Sequence, residues 1–227
     1  MRIADDIIKQ VIRLREQTGL TQEAVAKALG VSRQTYIQVE QGGRDLSLRE
    51  LETLASIFGI SPDYFFTQPI DMQKFEQMYL YILGKLGPVT KTKLAKLLYL
   101  ADFRNFYETL EPISGVRYVC RSYGPVPDVF FELTNEFFDE GKIDIRPEGD
   151  ALIINATSKA NSADALSDEE KRRIDEIVEL WRNKRTQEIV NFTHEQKPWR
   201  SCHNGEYIPY ELIIQEDPDH VYQPFTG

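Results

Sequence analysis

The sequence predicts a mainly α protein in two parts: a five-helix unit built on a helix-turn-helix, then an α+β, mostly helical unit with a small β-hairpin. Three observations carry this. The stretch TQEAVAKALGVSRQTYIQVEQG, from Thr21 to Gly42, places two short helical patterns on either side of a Gly-Val-Ser turn. Apolar residues recur at helical spacing through most of the remaining chain. Residues 142–146 and 151–155 flank the turn-forming Pro-Glu-Gly-Asp at 147–150, as the strands of a hairpin would.

In the first part, residues 4–17 carry Ile7, Ile8, Val11, Ile12 and Leu14 on a broad apolar stripe, and Gly19 suits a left-handed cap. Thr21 caps the second helix, whose Val25, Ala28 and Leu29 are expected inside and which Gly30 ends. Ser32 caps the third, Ser47 precedes a fourth with Leu48, Leu51, Leu54, Ala55 and Phe58 at helical spacing, and Ser61-Pro62 starts a short fifth.

With Ser32 as the cap, Tyr36 and Val39 of the third helix pack inward, while Arg33, Gln34 and Gln38 face outward. These are groove-reading side chains. Arg pairs bidentately with guanine and Gln with adenine in the major groove, and Ile37 can touch a thymine methyl. Gln22, opening the second helix, and Arg44, in the loop beyond the third, are placed to hold phosphates.

Residues 67–71 read as a linker, because Pro69 biases Gln68 away from helix. Five residues reach at most about 18 Å. Beyond it, residues 73–86 form a helix closed by Gly87-Pro88, and Thr90 caps another with Leu94, Leu97, Leu98 and Ala101 as its buried stripe. Residues 117–123 alternate as a strand, Gly124 to Pro127 is expected to turn the chain, and Pro127 to open a helix burying Val129, Phe130, Leu133 and Phe137. Helix, helix, strand, helix, hairpin is a winged-helix-like order. Ser167 and Glu170 then make a capping box for a helix with Ile174, Ile177, Val178 and Trp181 inside, and a short helix covers 186–192. Residues 216–227 form an acidic tail expected to be loosely held.

Composition excludes several classes. With 41% hydrophobic and 28% charged residues and no long apolar run, the chain is ordinary for a soluble protein and does not span a membrane. The opening MRIADDIIKQ carries acids where a secretory signal would carry bases, so cytoplasmic residence is expected. Residues 1–68 hold 8 Lys and Arg against 9 Asp and Glu; residues 69–227 hold 19 against 27, so the acid lies in the second part and nucleic-acid contact in the first. Cys120, Cys202, His194 and His203 show no metal-ligand spacing, and adjacent side chains such as Cys202 and His203 point apart. No phosphate-cradling glycine loop is present. No catalytic residue, metal or cofactor is expected, and no enzyme.

The 21–42 motif resembles the phage-repressor (XRE) helix-turn-helix family over residues 1–66. That resemblance implies base contacts at Arg33, Gln34 and Gln38, phosphate contacts at Gln22, Thr35 and Arg44, and dimers or higher oligomers on operator half-sites about one helical turn apart. The segments KLAKLLYLADF (93–103), YGPVPDVFFEL (123–133), LSDEEKRRIDEIVE (166–179), THEQKPWR (193–200) and IPYELI (208–213) together resemble the Panacea antitoxin domain, giving a second domain at 72–215. This second likeness implies an antitoxin that binds a co-encoded toxin protein and, through its first domain, represses its own operon.

Neutralisation by binding needs a surface and no chemistry. Such a surface is sought at Tyr99, Asp102, Tyr123, Gly124, Pro125 and Pro127, since rigid prolines and aromatics order cheaply on binding. The competing structural role makes Gly124 and Pro125 a strand-to-helix corner and has His194, Pro198 and Trp199 close the core. Alternatives at the functional level are a ligand-sensing transcription regulator and an adaptor that delivers a bound partner to a protease.

Overall fold

The computed structural model describes residues 3–60, 62, 65 and 70–222, so most of the expected fifth helix and residues 67–69 of the expected linker lie outside them. The chain divides into two compact units, residues 1–69 and 70–227. Among the described residues no helix is long and apolar enough to cross a membrane.

In the first unit, α1 (Ile3–Gln17), α2 (Gln22–Leu29), α3 (Arg33–Glu40) and α4 (Leu48–Phe58) follow local signals closely. Thr21 Oγ1 accepts from Ala24 N at 3.1 Å, Ser32 Oγ from Thr35 N at 3.0 Å, and Ser47 and Glu50 close a reciprocal capping box. Each cap contributes about 1 kcal/mol by satisfying donors that the helix leaves free. Gly30 ends α2 at φ 70°, the left-handed turn that lets α3 leave at an angle. Val11, Leu14, Val25, Tyr36, Val39, Leu51, Leu54 and Phe58 share one core. Ala28, expected inside, is exposed, and Ala26 is buried in its stead. With α2 beginning at Gln22, the inward face runs through Val25, Ala26 and Leu29.

The second unit is organised around α6 (Lys91–Thr109), which buries residues on every side, as a central helix does. Around it lie α5 (Met72–Leu86), α8 (Asp168–Trp181) and α9 (Thr186–Glu195). Asp71, assigned to the linker from sequence, caps α5 instead, accepting from Lys74 N at 3.0 Å. Two small antiparallel sheets complete the unit. In one, β1 (Val89–Thr90) pairs with β5 (Ala151–Ala156), which pairs with β4 (Ile143–Glu148). The hairpin is longer than expected, with Pro147 opposite Leu152 and Glu148 opposite Ala151, leaving Gly149 and Asp150 as its turn. Just before it, α7 (Phe130–Asp139) packs on β4.

In the other sheet, β2 (Tyr118–Arg121) lies between β3 (Gly124–Pro127) and β6 (Tyr207–Ile208). This corrects the expected turn at Gly124–Pro127, which is a strand in register with β2, and Pro127 ends it rather than opening α7. An edge strand tolerates proline because alternate residues direct their backbone groups away from the partner. The Pro125 carbonyl points that way and accepts from Lys96 Nζ at 2.7 Å. Residues 216–222 of the tail are also better held than its composition suggests, and residues 223–227 lie outside the described residues. Past α10 (Lys197–Arg200) and a 3₁₀ turn (Tyr210–Gln215), α11 (Pro218–Tyr222) buries Val221, and the His220 carbonyl accepts from Gln196 at 2.7 Å.

Candidate functional site

The capped start of α3 presents Arg33, Gln34 and Gln38 to solvent while Tyr36 and Val39 are fully buried beneath them. A groove-reading helix needs this division: an apolar anchor fixes its roll, and the polar face stays free to reach base edges. Thr35 and Ile37 are half-buried at the margin, so Ile37 is a partial rather than an open apolar contact.

Gln22 belongs to a network. It accepts from Arg33 Nη2 at 3.2 Å and donates to Glu40 Oε2 at 2.7 Å, while Arg15 Nε donates to Glu40 Oε1 at 2.6 Å. Burial opposes ionisation of Glu40, but the hydrogen bonds from Gln22 and Arg15 outweigh it and hold the carboxyl below its ordinary value. Glu40 therefore remains an anion that sets the Gln22 amide, and Gln22 in turn steadies Arg33. Sequence inspection missed Arg15 and Glu40; the signal is an acid at the end of α3 and a base at the end of α1. Arg44, expected from sequence to hold a phosphate, donates to Glu50 at 2.8 Å, so its charge is shared with a carboxylate and is less available to an anion. Nearby, a groove of about 520 Å³ is lined by Lys27, Arg44, Arg49 and Glu50 among others.

The second unit rearranges the expected partner patch. Tyr99 and Asp102 are 0% exposed, and Gly124, Pro125 and Pro127 are buried as well, so none of the five offers a surface to a partner. Tyr123 alone of the six is open, at 74% exposure. The reason is the all-round burial of α6. Tyr99 lies against Phe103 with the rings tilted (centroids 4.2 Å) and meets Tyr118 edge-on at 5.6 Å, while Phe103 stacks on Tyr210 at 4.5 Å. Asp102 sits inside this aromatic shell, accepting from Ser114 N at 2.8 Å and Tyr118 Oη at 2.8 Å.

Lys96 is equally enclosed, with burial pushing its ammonium down to about 7, slightly offset by Cys120. Above it Gly124 adopts φ 94° between Lys96, Thr193 and His194. His194 stacks on Trp199 with centroids 3.9 Å apart and planes 7° apart; burial and the neighbouring Lys96 lower its pKa. Pro198 is buried, whereas His194 and Trp199 are half-buried, so they flank the core rather than seal it. These groups are structural in their surroundings: each faces carbonyls, rings or aliphatic carbon.

Large apolar side chains nevertheless reach solvent elsewhere. Phe131 and Phe138 on α7 are 51% and 49% exposed, and Tyr207 and Ile214 lie open beyond β2.

Residues 11–65 match the helix-turn-helix family model, and residues 94–200 match the model described as antitoxin SocA-like, Panacea domain. An uncharacterized HTH-type transcriptional regulator of Methanocaldococcus jannaschii is 52% identical over 42 residues, which is 18% of this chain and 64% of that protein. The chain thus spans less than two thirds of the curated relative it matches. No solved structure matches it significantly. The chain therefore joins an XRE-type helix-turn-helix unit to a Panacea domain of the SocA-like antitoxin kind.

Proposed function

We propose that the protein is an antitoxin that neutralises a co-encoded protein toxin by direct binding and represses its own operon through Arg33, Gln34 and Gln38. The observation that carries the reading is the coupling, in one chain, of an outward recognition face on α3 to a Panacea segment at 94–200. It acts in the cytoplasm, without catalysis or a cofactor, by holding two macromolecules on separately built surfaces. Operator binding uses a homodimer or higher oligomer, because one α3 reads one half-site.

Co-expression with the product of the neighbouring gene tests the first half: growth arrested by that product should be restored by the full chain, and continued arrest rejects the antitoxin role. For the second half, Arg33→Ala should weaken operator binding by about 1–3 kcal/mol and relax one base position while leaving growth rescue intact. Operator affinity equal to wild type in a gel-shift titration would contradict the assigned face.

A further inference from the structure

Building on the proposal of a partner protein, we infer that the outward face of α7 is where that partner docks, and that the docking segment is basic with apolar side chains among its cations. On α7, Phe131, Asn135 and Phe138 occupy positions i, i+4 and i+7, so they form one stripe, with the two rings about 10 Å apart along the axis. All three are exposed. The opposite stripe, Phe130, Leu133, Thr134 and Phe137, is buried, and Tyr79 meets Phe137 edge-on at 5.3 Å. The core thus has its own aromatics on this helix, and the exposed pair is additional to them.

Charge selects the occupant. Glu132, Glu136 and Asp139 run beside the aromatic stripe with the same spacing and are all exposed. The helix FFELTNEFFD contains no cation, and among the described residues no hydrogen bond or ion pair engages the side-chain carboxylates of those three acids. Glu140, just past the helix, is already paired with Lys142 at 2.6 Å. A duplex would be repelled from such a face, because its phosphates need cations. A cationic protein segment gains twice, by steering toward the acids and by burying the rings. Lys91 Nζ stands 5.0 Å from the Phe131 centroid, an intramolecular version of the contact that a partner's Lys or Arg would make. Tyr207 carries the Arg117 guanidinium over its ring in the same way, at 4.4 Å.

The test uses the full chain and the affinity-tagged product of the neighbouring gene. F131A/F138A and, separately, E132K/E136K should each weaken binding by about tenfold or more and abolish growth rescue. E132Q/E136Q keeps size and helix propensity and should weaken binding in the same direction, with the wild-type melting temperature as the check on folding. Ile214→Ala, elsewhere on the second unit, should bind as wild type does. Wild-type binding that survives all three α7 double variants overturns this inference and leaves the antitoxin reading standing. Loss of operator binding with partner binding intact would give the face to DNA and also overturn it. If the wild-type chain binds no neighbouring product, the antitoxin reading falls and takes this inference with it.

Discussion

Replacing Gly124 with alanine is expected to destabilise the protein by roughly 2–5 kcal/mol. Two costs add. At φ 94° an L side chain is strained whatever the space around it, by about 1–2 kcal/mol. A Cβ there would also stand 2.7 Å from Lys96 Cε, 3.1 Å from Thr193 Oγ1 and 3.2 Å from His194 Cδ2. The nearest of these is a flexible carbon in name only, since Lys96 is wholly buried and anchored through Nζ to the Pro125 carbonyl. Overpacking of a full core adds about 1–3 kcal/mol. Urea unfolding of the full chain measures the sum; a midpoint within error of wild type would show that β3 can shift away from α6 and that the corner is looser than its geometry implies.

Asp102→Ala should cost a comparable amount, about 3–5 kcal/mol, and should lower the yield of folded protein rather than produce a folded chain unable to bind a partner. The carboxylate collects the Ser114 N–H, the Ser114 hydroxyl and the Tyr118 hydroxyl, and every one of these groups is buried. Without it, donors are left in an aromatic shell with no water to receive them. Asp102→Asn keeps an acceptor and should lose less. Burial raises the Asp102 pKa, against the pull of the Ser114 and Tyr118 hydrogen bonds. The folded state then holds its proton more tightly than the unfolded chain does. Stability from this group is full below the unfolded value and declines as pH rises through the raised one. The asparagine variant should lack that slope in a series of melts from acid to neutral pH; an unchanged slope would place the titration elsewhere.

Local signals made most of the helices legible. Thr21, Ser32, Ser47, Thr90 and Ser167 each act as the cap that their side chains and spacing suggest, because a cap involves residues only three apart. The outward placement of Arg33, Gln34 and Gln38 was legible for the same reason: α3 is short, capped and anchored at Tyr36 and Val39. What escaped depends on distant partners. Gly124–Pro127 looks like a turn until β2 and the buried Lys96 give its carbonyls and edge a place. Lys93 and Lys96 lie outside the apolar stripe expected for α6, yet Lys93 Nζ donates to the Lys184 carbonyl at 2.5 Å and to that of Arg182 at 3.3 Å, just past α8, where a helix leaves carbonyls unpaired. The aromatic stretch around Tyr99 is more often core than binding surface, and the partner surface sought near Tyr99 and Asp102 is core because α8, α9 and the 3₁₀ turn close around α6. The network of Arg15, Gln22 and Glu40 joins α1, α2 and α3 through residues 18 and 25 apart, so the acid and base at the helix ends do not by themselves reveal their pairing.

The prolines of β3 have a consequence for assembly. A bare sheet margin ordinarily templates a visiting strand, which is how many proteins capture extended peptides and how some polymerise. Here the margin carries Pro125 and Pro127, neither with an amide hydrogen to lend, and the outward oxygen of Pro125 is committed to Lys96. Backbone augmentation is closed on that side, which guards the sheet against runaway self-association.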